Sequence, residues 1–216
     1  MMTMHLSRSA RRLLTAGTVL ALAGSGVGIA LAANVVRPDL STPSPAGVAS
    51  AVPPDLAASF VVLRRPVQAG DTLPAAGRTY ALTAPGGPGA HYGVNPGLAR
   101  LAGVVNGSSV WLIPGSTGAC MYDSASGGGS CASTDSADSS GLVLTLLPVG
   151  GGIPRVVGVV PDGVGVTATN RDGSAASVTM SGNAYALDGD AQLQRVTIHA
   201  PTGNVDLPAI PDNASS

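Results

Sequence analysis

The sequence predicts a mainly β exported domain: a sandwich or partly open barrel of about seven or eight short strands, with one or two short helices at its N-terminal side. Three observations carry this. All eleven basic residues are Arg and all twelve acidic residues are Asp, so Lys and Glu, which fill most exposed helix faces, are absent. Thirty Gly and seventeen Pro favour strands joined by turns over long helices. Short apolar or alternating runs, each closed by Gly, Pro, Asn or Asp, recur along the second half of the chain.

Arg8, Arg11 and Arg12 precede residues 13–33, which carry no charged side chain. A basic region followed by an apolar stretch is the layout of an export segment. Two fates stay open. Ala30-Leu31-Ala32 has the small-x-small form that signal peptidase accepts, which predicts release after Ala32. The stretch also just reaches the length of a membrane span, which predicts a single retained apolar helix and makes the membrane a partner. Gly17, Gly24, Gly26 and Gly28 dilute it, and Gly24 and Gly28 form a G-x-x-x-G pair. Either fate places the rest of the chain outside the cytoplasm.

Residues 34–54 hold Pro38, Pro43, Pro45, Pro53 and Pro54 and read as a semi-extended spacer. The folded domain is expected over residues 55–208, with a disordered tail at 209–216. Residues 55–65 read as a helix capped by Asp55, with Leu56, Phe60 and Leu63 on one face and Pro66 as its stop. A second helix is expected from Asn95, a good cap, through Pro96 to Leu101. Residues 108–113 and 119–122 read as strands turning at Pro114-Gly115. Residues 142–147 are nearly all apolar, as a strand buried on both faces would be. Residues 155–160 make another strand, ending at Pro161-Asp162-Gly163. Val164, Val166 and Ala168 then alternate with Gly165, Thr167 and Thr169. Asn170-Arg171-Asp172-Gly173 turns this strand, and Ala176, Val178 and Met180 share a face on its return. A final hairpin joins 196–199 to 205–207 across Pro201-Thr202-Gly203-Asn204.

Phe60-Val61-Val62-Leu63-Arg64-Arg65-Pro66, Asn95-Pro96-Gly97-Leu98-Ala99-Arg100 and Gly158-Val159-Val160-Pro161-Asp162-Gly163-Val164 together resemble a group of uncharacterised exported actinobacterial proteins. In that group a basic and apolar N-terminus precedes a Pro-rich spacer and one β-rich domain. The resemblance implies a compartment and brings no activity with it.

Without residues 1–32 the chain carries eight Arg against twelve Asp, a formal charge of −4. Beyond Arg64-Arg65 it has no basic cluster, which argues against nucleic acid as a partner. Cys120 and Cys131 flank a Gly- and Ser-rich loop, so in an oxidising compartment they are expected to form a disulfide. They lack the C-x-x-C spacing of a redox or metal pair.

Catalytic residues are not expected. Past the export segment only His91 and His199 offer an imidazole base, no G-x-S-x-G elbow is present, and His199 reads as a sheet-face residue. No metal or cofactor is expected either. Asp188-Gly189-Asp190 reads as a solvated turn, with His199 where a calcium loop starting at Asp188 needs Glu, and Asp135 and Asp138 lie in a Ser-rich loop. Gly127-Gly128-Gly129-Ser130 lacks the Gly-Lys of a phosphate loop. The turn-rich residues 85–93, carrying His91 and Tyr92, are the candidate recognition loop. Trp111 is expected in the core. The expected function is a non-enzymatic envelope-associated module that binds a protein or cell-wall component. The alternatives are a secreted hydrolase with a Ser, Asp or His site assembled only by folding, and a structural spacer of the envelope.

Overall fold

The structure, a computed structural model, describes residues 29–31, 49–82, 88–147, 155–188 and 193–208. Most of residues 1–33, the Pro-rich stretch up to residue 48, residues 83–87 with the start of the candidate loop, Gly189-Asp190 and residues 209–216 lie outside the described residues. Strand β1 is Ile29–Leu31. Helix α1 (Pro54–Ser59), a 3-10 turn at Val61–Leu63, a second at Ala69–Asp71, helices α2 (Ala75–Leu82) and α3 (Pro88–Tyr92) and a 3-10 turn at Pro96–Leu98 follow. Then come β2 (Arg100–Val105), β3 (Ser108–Pro114), β4 (Gly118–Asp123), β5 (Gly128–Ser133), α4 (Thr134–Ser140), β6 (Leu142–Leu147) and β7 (Arg155–Val159). The last elements are β8 (Gly165–Asn170), β9 (Ala175–Ala176), β10 (Thr179–Ser181), β11 (Ala184–Asp188), β12 (Leu193–Ala200) and β13 (Gly203–Pro208).

The protein is mainly β. Its strands form three antiparallel sheets, ordered β2-β3-β4-β5, β1-β6-β7-β11-β10 and β13-β12-β8-β9, and none closes into a barrel. They are more numerous than the seven or eight expected, because several expected loops are short strands.

Side-chain alternation stacks these sheets. On β3, Val110 and Leu112 enter the core shared with the middle sheet, while Trp111 and Ile113 face the opposite way, towards Leu73 and Ala81. On β4, Ala119 and Met121 face inwards while Cys120 and Tyr122 face the helical side. The middle sheet is covered on both faces. Leu142, Leu144, Val157, Val159, Ala184 and Ala186 meet the first sheet; Val156, Tyr185 and Leu187 meet Val166, Val196 and Ile198 of the third. The order is therefore helical layer, sheet, sheet, sheet. Each fully buried Leu, Val, Ile or Phe in these seams contributes about 1.5–3 kcal/mol. The outer face of the third sheet is left to solvent.

Four local expectations are corrected. Asp55 does not cap α1: the N-cap position is Pro53, which makes no side-chain capping bond, and Pro54 opens the first turn, where its missing N–H costs nothing. The helix breaks at Phe60 (φ −128°, ψ 103°) and resumes as a 3-10 turn, which still buries Leu56, Phe60 and Leu63. The helix from Asn95 is one 3-10 turn, Asn95 accepting from the Gly97 N–H at 2.8 Å. It ends there because Arg100 and Leu101 pair with Leu112 and Trp111. The Ser-rich stretch holding Asp135 and Asp138 is helix α4, capped by Ser133 and anchored by buried Ala137. The hairpin after β8 keeps only two pairs, Ala168 with Ala176 and Thr169 with Ala175. The chain then crosses to the middle sheet, where Met180 pairs with Tyr185 and is left 44% exposed.

β1 lies in the apolar stretch that the sequence led us to expect as an export segment. It pairs antiparallel with the outer edge of β6, Ile29 opposite Leu147 and Leu31 opposite Thr145. Among the described residues no helix is long and apolar enough to cross a membrane.

Candidate functional site

The third sheet has a polar outer face built by period-2 alternation. β12 turns Val196 and Ile198 into the core and leaves Arg195 and His199 exposed, with Thr197 half-buried. β8 buries Val166 and Ala168 and exposes Thr167. β13 exposes Asn204 and Asp206. Register then sets these residues in rows. Thr197 lies between Thr167 and Asp206; His199 lies between Gly165 and Asn204.

Two hydrogen-bonded sets result. The His199 Nε2 lies 2.9 Å from Thr167 Oγ1, and its Nδ1 lies 3.1 Å from Asn204 Oδ1. With Asn204 Oδ1 as acceptor, Nδ1 carries the proton and Nε2 accepts from the Thr167 hydroxyl. One row along, Thr197 donates to Asp206 at 2.7 Å, and the Arg195 guanidinium lies 3.4 Å from the same carboxylate. Hydroxyl, imidazole and orienting amide in this order match the nucleophile–base–orienter logic of acyl transfer. Their setting does not. Both Thr167 and His199 stand on an open face, and the cleft on this sheet is lined by other residues.

That cleft, of about 460 Å³, sits where β8 ends, β12 begins and β13 ends. Arg171, Gln194, Arg195 and Asp206 supply its polar lining; Leu193, Leu207 and Pro208 supply its apolar lining. A register shift between Leu193 and Arg195 makes Gln194 an extra residue in β12. Two consecutive side chains, Gln194 and Arg195, are thereby exposed where strict alternation would bury one.

The residues expected to matter fall elsewhere. His91 is exposed on α3, its ring edge-on to Tyr92 at 4.7 Å. Tyr92 is half-buried over Gly118, and burial raises its hydroxyl pKa. The two therefore do not present a pair of free rings. α3 belongs to the helical layer, so the fold does not unite His91 with His199. Cys120 and Cys131 stand directly opposite across β4 and β5 and form a disulfide, with Cys120 fully buried. The bond is compatible with an extracytoplasmic location.

Other polar clusters serve the fold. Asp71 accepts from Arg65 twice at 2.6 Å, from Gln68 N–H at 2.7 Å and from Leu101 N–H at 2.8 Å, tying the segment before α2 to β2. Buried Asp123 accepts from Ser108 and from Arg155, linking the first sheet to the second. Asp138 on α4 has its carboxyl pushed up by burial and by Asp55 and Asp135, opposed by a Ser59 hydrogen bond. Among the described residues no group of three or more His, Cys, Asp or Glu is placed to hold a metal ion.

Compared with protein-family models, curated proteins and solved structures, the chain matches none.

Thr167, Arg171, Arg195, Asn204 and Asp206 were not foreseen from the sequence. Apart from Arg171, which lies in the turn after β8, their signal was the alternation of polar residues on three strands that neighbour one another in the sheet, which spacing along the chain does not align.

Proposed function

We propose that this protein is a non-enzymatic, extracytoplasmic binding module of the cell envelope. In this reading it is held to the membrane by its N-terminal segment or released by cleavage near Ala32. The observation that supports it is the outer face of the third sheet. Arg195, Thr197, His199, Asn204 and Asp206 form an ordered polar surface there that covers no part of the core. A flat ladder of cation, hydroxyl, imidazole and carboxylate suits recognition of a polar envelope component such as a wall polymer or an exposed protein. Sedimentation of the full chain with detergent-washed host envelope, stripped of the lipid that its N-terminal segment would enter, tests it. The Arg195→Ala/His199→Ala double variant is expected to stay in the supernatant where the wild type pellets. Equal pelleting of the two overturns the assignment to this face. Failure of either to pellet favours a spacer role.

A hydrolase remains the second reading, favoured by the Thr167–His199–Asn204 chain of hydrogen bonds. Its test is covalent labelling by a fluorophosphonate or β-lactone probe. Adduct formation at Thr167 that His199→Ala abolishes establishes an enzyme; the binding reading expects no adduct.

A further inference from the structure

We propose that the cleft between Arg171 and Arg195 receives the terminal carboxylate of a short, apolar peptide chain; this rests on the binding-module reading and names its ligand class. Two guanidiniums line one small cavity, and each presents a planar fork of donors that matches a carboxylate's two oxygens. They reach it from different elements. Arg171 comes from the turn after β8, which Asp172 fixes by accepting from the Ser174 N–H at 2.9 Å and the Ser174 hydroxyl at 2.6 Å. Arg195 comes from the bulge in β12 that exposes it beside Gln194.

Among the described residues the Arg171 guanidinium has no hydrogen-bond or ion-pair partner, and Arg195 has one long contact, 3.4 Å, to Asp206. Both members of that pair are 52% exposed, so the contact is weak and its cation is available to an incoming anion at little cost. Asp206 stays oriented by Thr197, and its carboxylate is placed to accept an N–H of the same ligand.

Charge and shape narrow the ligand. Arg171 and Arg195 set against Asp206 leave one positive charge in the cleft, which one carboxylate balances and a phosphate dianion exceeds. Leu193, Leu207 and Pro208 in the same lining suit a small apolar side chain beside that carboxylate rather than a sugar. The volume of about 460 Å³ lies within the range of small-ligand sites. A wall-derived peptide and a protein C-terminus share this chemistry.

The test is a titration of the full chain, followed by amide NMR shifts, with N-acetyl-Ala-Ala bearing a free carboxylate, with its C-terminal amide, and with the D,D form of the acid. The acid is expected to shift the amides of Arg171, Gln194, Arg195 and Asp206 saturably, and the amide form is not. Arg171→Gln and Arg195→Gln are each expected to weaken the acid by roughly tenfold to a hundredfold, the loss of a charge-assisted pair. Both residues are exposed, so neither change should unfold the protein. Preference for the D,D acid assigns the wall peptide, and preference for the L,L acid assigns a protein C-terminus. Acid and amide binding alike, or shifts that avoid the cleft, overturn the proposal. If wild type pellets with envelope while this titration fails, the ligand class is wrong and the module reading stands.

Discussion

At the scale of single residues, buried carboxylates make the firmest predictions. Asp71 is 2% exposed, and burial alone would raise its pKa; hydrogen bonds from Arg65, Gln68 and Leu101 outweigh this and hold it at about 2. A folded pKa below the unfolded value of about 3.9 means stability present above pH 4 and lost as pH falls towards 2. The loss amounts to roughly 2–3 kcal/mol across that window. Asp71→Asn is expected to cost about 3–5 kcal/mol at pH 7, because it leaves Arg65 without its bidentate partner. Thermal melts of both proteins from pH 7 to pH 2 check this: the gap between them should narrow as the wild type loses its advantage. Asp138 has the opposite sign. Its folded pKa is raised, so its ionised form is the costly one above the unfolded pKa, and the strain is relieved as pH falls. Asp138→Asn should therefore raise Tm at pH 7 and leave it nearly unchanged at pH 3. Close packing gives a third residue-scale prediction. A Cβ at Gly158 would lie 2.3 Å from the Tyr185 ring, on a cross-strand pair with no free space. Gly158→Ala is expected to cost about 1–3 kcal/mol by chemical denaturation.

At the scale of elements, the disulfide spans the β4–β5 hairpin, which the first sheet packs under α2 and α3. Closing so short a loop stabilises by about 3 kcal/mol, so Cys120→Ala/Cys131→Ala should lower Tm by roughly 6–12 °C. Calorimetry of the double variant measures it. Here the sequence was a good guide where local chemistry decides. Residues 142–147 read as a strand buried on both faces, and Leu142 and Leu144 enter one core while Val143 packs against the other. Trp111 was expected in the core and is 8% exposed. The turn at Pro201-Thr202 closes the hairpin foreseen around it, and the turn at Asn170–Gly173 forms where expected although it closes only two pairs. Reading failed where tertiary partners decide. Nothing local separates a Ser-rich loop from α4, whose one buried anchor is Ala137. Arg100 and Leu101 fit a helical turn as well as a strand until Leu112 and Trp111 are beside them.

At the scale of the whole molecule, the layering explains why the outer face of the third sheet is the surface to test. The middle sheet has no free face, and the helical layer covers the first sheet. The candidate site was illegible for the same reason. Thr167, His199 and Asn204 come from three strands whose register sets their meeting, and Arg171 joins Arg195 only through a bulge and a turn. His199 was legible as a sheet-face residue; its neighbours were not. The most direct measurement is photo-crosslinking in the native envelope, with a photoreactive residue at position 197 on this face and, as control, at exposed Val61 near α1. A discrete adduct from position 197 that Arg195→Ala diminishes is expected, with none from position 61. Adducts of equal yield from both positions, or only from position 61, would contradict it.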